Sequence, residues 1–254
     1  MKIISLNTWG GRAGREGLLV FFENHKDVDV FCLQEVWSDS YPDLHNEVIA
    51  GLYIDQSKVM VNGMQDISGL LSTHTPYFRP HNGEHYGLLM LIKNEYVVVE
   101  EGDIFVHKER GYVPEKDVGF HARNIQYATI ETPEGLRTVV NFHGLWNGGG
   151  KFDSEDRLLQ SDNIIAFLKE LKNPYVLIGD FNLLPETESL KKFEQIGLRN
   201  LIAKYGITST RSRHYTKEHR FADYCFVSEG IAVTDFQVFQ DEVSDHLPLY
   251  LECA

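Results

Sequence analysis

An α/β fold of two sheets packed face to face, with helices outside, is what this sequence predicts. Three patterns carry the prediction. The chain opens as strand–helix–strand, reads as strands and turns from residue 67 to about residue 142, then alternates helix and strand to its end. Two packed layers around one core accommodate that order. A doubly wound parallel sheet fits the first third and fails on the middle run of strands. Periodicity alone does not set the order of the layers.

Residues 3–7 are apolar up to Asn7 and read as a strand. Residues 14–24 place Leu18, Leu19, Phe21 and Phe22 at helical spacing, and residues 28–33 form a second strand close enough for a β-α-β start. A helix is expected over 41–49. Strands are expected over 87–92, 96–99, 123–131 and 136–142, with "TPEG" at 132–135 as a hairpin turn. Residues 156–171 carry Leu158, Leu159, Ile164, Ile165 and Leu168 at helical spacing. A strand over 175–179, a helix over 188–196 and three more strands follow, the last containing "LPLYLE". No linker, repeat or low-complexity stretch interrupts this order, so a single domain over 1–254 is expected.

The 254 residues are 43% hydrophobic and 24% charged, ordinary for a globular protein with a real core. No apolar run approaches the roughly 20 residues that span a bilayer, and "MKIISLN" leads straight into a strand without the pattern of a signal peptide. Cys32, Cys225 and Cys253 have no zinc spacing, and two of them sit in strand-like runs. They read as reduced structural thiols in a cytoplasmic protein. The net charge of −13 argues against a long grip on duplex DNA. It leaves room for a local basic patch, or for carboxylates gathered around a cation.

Polar residues cluster at the strand ends. Asn7 ends "SLN", Glu35 follows "FCLQ", His143 ends "VVNFH", and Asp180 and Asn182 end "LIGDFN". Asp223 opens "DYCFVS", and Asp245 and His246 precede the last strand. On an extended chain Asp180 and Asn182, two apart, point the same way. Each residue alone has an ordinary explanation as a cap, a turn or a surface group. If the sheets bring these ends together, the result is one pocket of carboxylates, carboxamides and imidazoles. Carboxylates so gathered repel one another unless a cation joins them, and all-oxygen donors suit Mg²⁺ or Mn²⁺ rather than zinc. Phosphoryl transfer to water needs that Lewis acid, a positioned water and donors for developing charge. No residue reads as a covalent nucleophile, so direct attack by water is the simplest mechanism.

The set resembles the endonuclease/exonuclease/phosphatase superfamily. Its members include deoxyribonuclease I-like nucleases, abasic-site endonucleases, tyrosyl-DNA phosphodiesterases, deadenylases, neutral sphingomyelinases and inositol polyphosphate phosphatases. The matching stretches are "SLNTWG", "LQEVW", "FHGLW", "IGDFNLLPE", "FADYCFVS" and "SDHLPL", in the family's order along the whole chain. The resemblance implies a four-layer α/β/β/α sandwich of two mainly antiparallel sheets flanked by helices. It implies that Glu35 holds the metal with Asn7 beside it, and that Asp245 supports metal binding or a second metal position. It further implies that Asp180 activates or orients the attacking water and Asn182 holds a phosphate oxygen. His246, oriented by Asp223, contacts the scissile phosphate. His143 stands where abasic-site endonucleases have tyrosine and several other branches have histidine. Trp9 stands where many abasic-site endonucleases have an acidic residue, which turns the expectation away from base-excision repair.

Loops select the substrate. "STRSRHYTKEHRFAD" brings Arg211, Arg213, Lys217 and Arg220 close to Asp223, as a phosphate clamp or a solvated turn. Arg12 and Arg15 follow Asn7, and "NGGGK" places Asn147 and three glycines after the His143 motif. Trp9, Trp37 and Trp146 are rim aromatics for stacking on bases or core residues beneath the rim. Arg211, Arg213 and Asn147 are the expected substrate contacts. The expected reaction is metal-dependent phosphodiester hydrolysis by a monomer without stable membrane association. A short or single-stranded nucleic acid, or a terminal phosphodiester, is the preferred substrate. The alternatives are a small phosphorylated compound or lipid headgroup, and a non-catalytic module of the same fold. That last reading requires a missing catalytic position, and none is missing.

Overall fold

The computed structural model describes residues 1–38, 58–113 and 120–254, together with the backbone of 48–49 and 52–53. In β1 (Lys2–Asn7), Ile4 and Leu6 point to one face while Ile3 and Ser5 point to the other, and both faces are buried. A 3-10 turn at Trp9–Gly11 and helix α1 (Arg15–Asn24) lead to β2 (Val30–Trp37), which lies parallel to β1. A two-stranded pair, β3 (Val48–Ile49) and β4 (Leu52–Tyr53), precedes helix α2 (Gly63–Leu70). Strands β5 (His74–Asn82) and β6 (Tyr86–Lys93) then extend the sheet antiparallel from β2.

The second sheet is assembled in the same way around its own parallel pair. Strands β7 (Val98–His107), β8 (Arg123–Thr132) and β9 (Gly135–His143) are an antiparallel meander. Helix α3 (Glu155–Glu170) crosses over to β10 (Tyr175–Asp180), which is parallel to β9. Ser154 caps α3, its Oγ accepting the Arg157 N–H at 3.3 Å, and Glu155 and Asp156 suit the positive helix end. Helix α4 (Glu188–Gln195), strand β11 (Arg199–Asn200) and the short α5 (Leu201–Lys204) precede β12 (Asp223–Val227), antiparallel to β10. The chain then returns to the first sheet as β13 (Val233–Val238) and β14 (Leu249–Cys253), with β14 antiparallel to β1.

Among the described residues the strand orders are β13-β14-β1-β2-β6-β5 and β11-β12-β10-β9-β8-β7. Alternation in the strands separates the layers. Ile4, Leu6, Phe31, Leu33, Leu89 and Leu91 meet Leu18, Phe21, Phe22 and Ile67 of α1 and α2. The opposite faces supply Ile3, Val30, Cys32 and Met90 to the core shared with Val139, Ile178 and Cys225 of the second sheet. Beyond that sheet lie Ile164 and Leu168 of α3 and Phe193 of α4. The sandwich of two mainly antiparallel sheets flanked by helices is therefore present. All three cysteines are free and buried.

Three expectations change. Residues 63–70 are helix, so the strand region expected from residue 67 starts later; two glycines in only eight residues, about two turns, hid the period. Strand β5 was not expected: Pro76 and Pro80 disguise it, and they are tolerated because β5 is a sheet edge. Strand β7 runs to His107 rather than ending at residue 99. It is the opposite sheet's edge, where Glu100, Glu101 and Asp103 are compatible with a strand. The helix expected over 41–49 lies outside the described residues except at Val48–Ile49, which are strand.

A polar ladder runs between the sheets below their C-terminal ends. Gln34 Nε2 donates to Asn141 Oδ1 at 2.7 Å and to Ser5 Oγ at 3.2 Å. Asn141 Nδ2 donates to Gln126 Oε1 at 3.2 Å, and Gln126 Nε2 to the Tyr77 carbonyl at 2.7 Å. Buried amides so paired tolerate few other arrangements, which ties the register of one sheet to that of the other.

Candidate active site

Each sheet has one central parallel pair, and parallel strands end together. Asn7 pairs in register with Gln34, adjacent to Glu35. In the other sheet Asp180 lies between His143 and Asp223 in one row. Packing the sheets brings these two rows together. Asn7 Nδ2 joins them, donating to Glu35 Oε1 at 3.1 Å and to Asp180 Oδ2 at 2.9 Å. Its Oδ1 accepts the Trp9 N–H at 2.9 Å, so here Asn7 aligns two carboxylates as a donor.

Glu35 departs from regular strand geometry. Its φ is +56°, at a register shift between Leu33 and Val36. Such a bulge re-aims one side chain, and its backbone cost is supported by the surrounding sheet. Asn182 also has positive φ, +55°. The chain is therefore not extended through residues 180–182, and the i, i+2 geometry expected there is replaced by a turn. Asp180 Oδ1 accepts the Asn182 N–H at 2.8 Å, and Asn182 Nδ2 donates to the Gly144 carbonyl at 3.2 Å. Gly179 precedes this turn with φ +149°, where a Cβ would lie 2.0 Å from the Phe142 carbonyl oxygen.

His246 is held from both sides. Its Nδ1 donates to Asp223 Oδ1 and Oδ2 at 2.8 and 2.9 Å, which sets the ring's tautomer and leaves Nε2 facing Asp180 Oδ2 at 3.6 Å. Burial and Arg211 push its pKa down, but Asp223, Asp245 and Asp180 outweigh them and hold it above its ordinary value. Burial raises the Asp180 carboxyl, yet His246, Arg211 and Lys151 reverse this and keep it below the ordinary carboxylate range. His143, with Nε2 3.8 Å from Asp180 and 3.9 Å from Glu35, is kept neutral by burial, then by Arg123 and His81. The site thus holds one imidazole biased towards charge and one held neutral.

Asp245 pairs with Arg211 at 2.7 Å, while its Oδ1 is buried without a hydrogen-bond partner. Burial pushes the Glu35 carboxyl above its ordinary range; Arg12, 3.8 Å away and exposed, lowers it, and Asp245 raises it further. A carboxylate desolvated without a close cation fits a hard divalent ion. Asp180, Asp223 and His246 also offer ligand atoms within 4.8 Å of one another. There, however, Asp223 and the His246 Nδ1 are already spent on each other, whereas the Glu35 carboxylate accepts only from Asn7 among the described residues and could hold a divalent ion.

The expected substrate contacts lie at the margin. Arg213 is exposed and pairs with Glu242 at 2.9 Å. Asn147 is half-buried, its Oδ1 accepting the Gly149 N–H at 3.1 Å. Arg220 donates to the Ser212 and Tyr215 carbonyls, Arg15 pairs with Asp66, and Lys217 lies over the Trp146 ring. Trp37 is core, packed on Tyr86 at 4.6 Å, whereas Trp9 is only half-buried.

Several neighbours were not expected. Ser244 Oγ donates to the Asn7 carbonyl at 2.7 Å and accepts the His246 N–H at 3.2 Å, tying β1 to the His246 loop. Lys151 is buried with Nζ on the Phe221 carbonyl at 2.8 Å, and burial and Arg211 lower its pKa to about 8. Both stand in stretches already notable, "SDH" and "NGGGK". Behind His143, His81 stacks on His121 at 5.0 Å beside the Arg123 guanidinium, which contacts His121. Nothing local to those residues signals that they meet.

No curated protein sequence matches significantly. The structure of Bacteroides thetaiotaomicron mannosyl-6-phosphatase superposes with a TM-score of 0.72 at 18% identity, covering 100% of this chain and 99% of that one. The human Nocturnin catalytic domain with bound sulfate gives 0.66 at 19% identity, over 100% and 93% of the two chains. A humanized D. rerio TDP2 gives 0.67 at 16%, over 100% and 98%. At these identities the likeness is one of fold. The sequence profile of the Endonuclease/Exonuclease/phosphatase family matches residues 4–246, nearly the whole chain, and this protein belongs to that family.

Proposed function

We propose that this chain is a divalent-metal-dependent phosphoesterase that hydrolyses phosphodiesters by direct attack of water. The observation that carries this reading is the buried Asp223–His246–Asp180 row facing Glu35 through Asn7. Glu35 would hold Mg²⁺ or Mn²⁺, which when bound would supply Lewis acidity to a phosphoryl oxygen. Asp180, kept ionised, orients water and accepts its proton. His246, biased towards its protonated form by its carboxylate neighbours, is placed to donate from Nε2 to the phosphoryl oxygens as charge develops. Asn182 and neutral His143 position the phosphate.

On the substrate side, the basic loop supports a single phosphate group better than a long polyanion. Arg213 and Arg220 are engaged by Glu242 and by backbone carbonyls, and Arg211 by Asp245. A short or single-stranded nucleic acid, or a terminal phosphodiester, satisfies that limit. A small phosphorylated compound satisfies it as well and is the second reading. One structural neighbour is a mannosyl-6-phosphatase, in line with it. The test is hydrolysis with Mg²⁺ of single-stranded and duplex DNA, RNA, an abasic-site duplex, a 5′-tyrosyl oligonucleotide, inositol phosphates, sugar phosphates and sphingomyelin. Turnover of short or terminal nucleic-acid esters supports the first reading, and turnover confined to small phosphates the second. Absence of turnover on every substrate contradicts the enzyme.

A further inference from the structure

Lys151 is a buried ammonium without a carboxylate partner. It stands in the loop between β9 and α3 and is 3% exposed. Its carbonyl accepts the Leu184 N–H at 2.9 Å, and its Nζ donates to the Phe221 carbonyl at 2.8 Å. These contacts pin it between the turn that carries Asp180 and Asn182 and the strand entry that carries Asp223. An ammonium has three donors. Here one is used, and among the described residues no carboxylate lies at ion-pair distance from Nζ.

Arg211 is a second cation at the same place. Its Nη1 donates to Asp245 Oδ2 at 2.7 Å, but its Nε is buried without a hydrogen-bond partner. Lys151 Nζ lies 5.2 Å and Arg211 Cζ 4.3 Å from the centroid of the half-buried Tyr215 ring. One aromatic ring thus gathers two cations that repel each other. Burial, then Arg211, lowers the pKa of Lys151 to about 8, while Asp180, Asp223 and Asp245 act on it in the opposite sense. Both cations act in turn on Asp180, and the Arg211 backbone is bridged to His246, so the pair borders the reacting row.

Fastening the loop to Phe221 requires one donor, not a charge, and a buried charge is costly unless it is paired. An anion that reaches both side chains relieves their repulsion and fills the idle donors with charge-assisted hydrogen bonds.

We propose that Lys151 and Arg211, gathered on Tyr215, form a subsite for a second anionic group of the substrate, beside the phosphate that reacts at Asp180 and His246. The chain then prefers phosphoesters that carry a further phosphate close to the scissile one. The inference rests on the phosphoesterase reading above and deepens it. The further phosphate belongs either to an adjoining nucleotide or to a small bisphosphorylated compound, and the substrates below separate these sources.

Two measurements on the full chain test this. The first is calorimetric titration with inorganic phosphate in EDTA, where neither metal nor turnover contributes. The wild type is expected to bind phosphate, and Lys151→Met to bind it at least about tenfold more weakly, the loss of one charge-assisted hydrogen bond. Absence of binding, or equal affinity in a folded Lys151→Met, overturns the proposal. The second is kcat/KM with Mg²⁺ for two sets of substrates. One sets a thymidine dinucleotide with a 5′- or 3′-phosphate against the dinucleotide with hydroxyls at both ends; the other sets glucose 1,6-bisphosphate against glucose 6-phosphate. The wild type is expected to favour the further phosphate by about tenfold or more in one set, which identifies its source. Lys151→Met is expected to bring that ratio close to one. A merely structural loss lowers both members of a set alike, and an unchanged ratio overturns the proposal. A wild-type ratio within about threefold in both sets overturns it too, and this alone decides if Lys151→Met does not fold by circular dichroism. Phosphate binding that depends on Lys151, without turnover of any substrate, removes the phosphoesterase reading and leaves the anion subsite standing.

Discussion

His246 donates from Nδ1 to both oxygens of Asp223, at 2.8 and 2.9 Å, on adjoining segments that are 23 residues apart in the chain. The pair is buried, and its outer nitrogen faces Asp180. It follows that the imidazole arrives at the reaction with its tautomer already chosen.

His246→Ala and Asp180→Asn are each expected to lower kcat by about two orders of magnitude or more, since positioned proton transfer and charge stabilisation contribute about that much. Asp223→Asn is expected to be less severe, because it removes orientation and not the imidazole. Steady-state kinetics on the best substrate checks this, with circular dichroism as the control for folding. Near-normal turnover in either of the first two variants removes that residue's proposed role.

Chelation is expected to abolish hydrolysis, and added Mg²⁺ or Mn²⁺ to restore it. Glu35→Gln is expected to weaken Mn²⁺ binding by at least the ~10-fold that loss of an outer-shell partner costs a metal site. Calorimetric titration measures the affinity directly, and an unchanged curve contradicts Glu35 as the anchor.

Gly144 is the meeting point of the second sheet's loops. Its N–H donates to the Asp180 carbonyl at 2.6 Å, and its own carbonyl accepts from Arg123 and Asn182. A Cβ there would lie 2.2 Å from the Phe181 carbonyl oxygen. Gly144→Ala is expected to cost about 1–3 kcal/mol or more of stability, as overpacking does, and to lower kcat by displacing Asp180. Denaturant melts together with kinetics check both effects, and a variant of wild-type stability shows the approach to be looser than described.

Acid is expected to destabilise the fold before it reaches the ordinary range of carboxylates. Burial, then Arg123, lowers His81 to about 3 and His121 well below its ordinary value. In the unfolded chain both titrate near ~6.5. Between those values the unfolded state binds protons that the folded state refuses. Their contribution is therefore complete above about pH 6.5 and is lost as pH falls towards the folded values. Each histidine steepens the loss by up to ~1.4 kcal/mol per pH unit. His81→Gln is expected to make the acid-side decline of the melting temperature shallower. A wild-type melting temperature that stays flat from neutral pH to about two units below contradicts the neutral cluster.

Much of the site was legible in advance because its residues sit at the ends of apolar strands, where the change from buried to polar is local. Asn7, Glu35, His143, Asp180 and Asp223 were found that way, and all lie at strand ends or, for Glu35, in a strand bulge. Edge strands β5 and β7 were legible poorly or in part. Prolines and charges are tolerated where one side of a strand carries no partner, and they erase the signal that periodicity provides.

The sequence by itself determined the α/β class, the central strands and the kinds of side chain delivered to their ends, because strand alternation and covalent spacing are short-range. Only the tertiary structure decided which atoms face which. Arg211 reads along the chain as a free basic residue, yet it folds onto Asp245, 34 positions away. Asn7 reads as a residue beside the metal, and the fold sets its amide nitrogen between Glu35 and Asp180, the latter 173 positions away. These pairings depend on sheet order, on the register of two parallel pairs and on the path of the 209–221 loop. Those are settled by packing between distant segments, and no local pattern of residues encodes them.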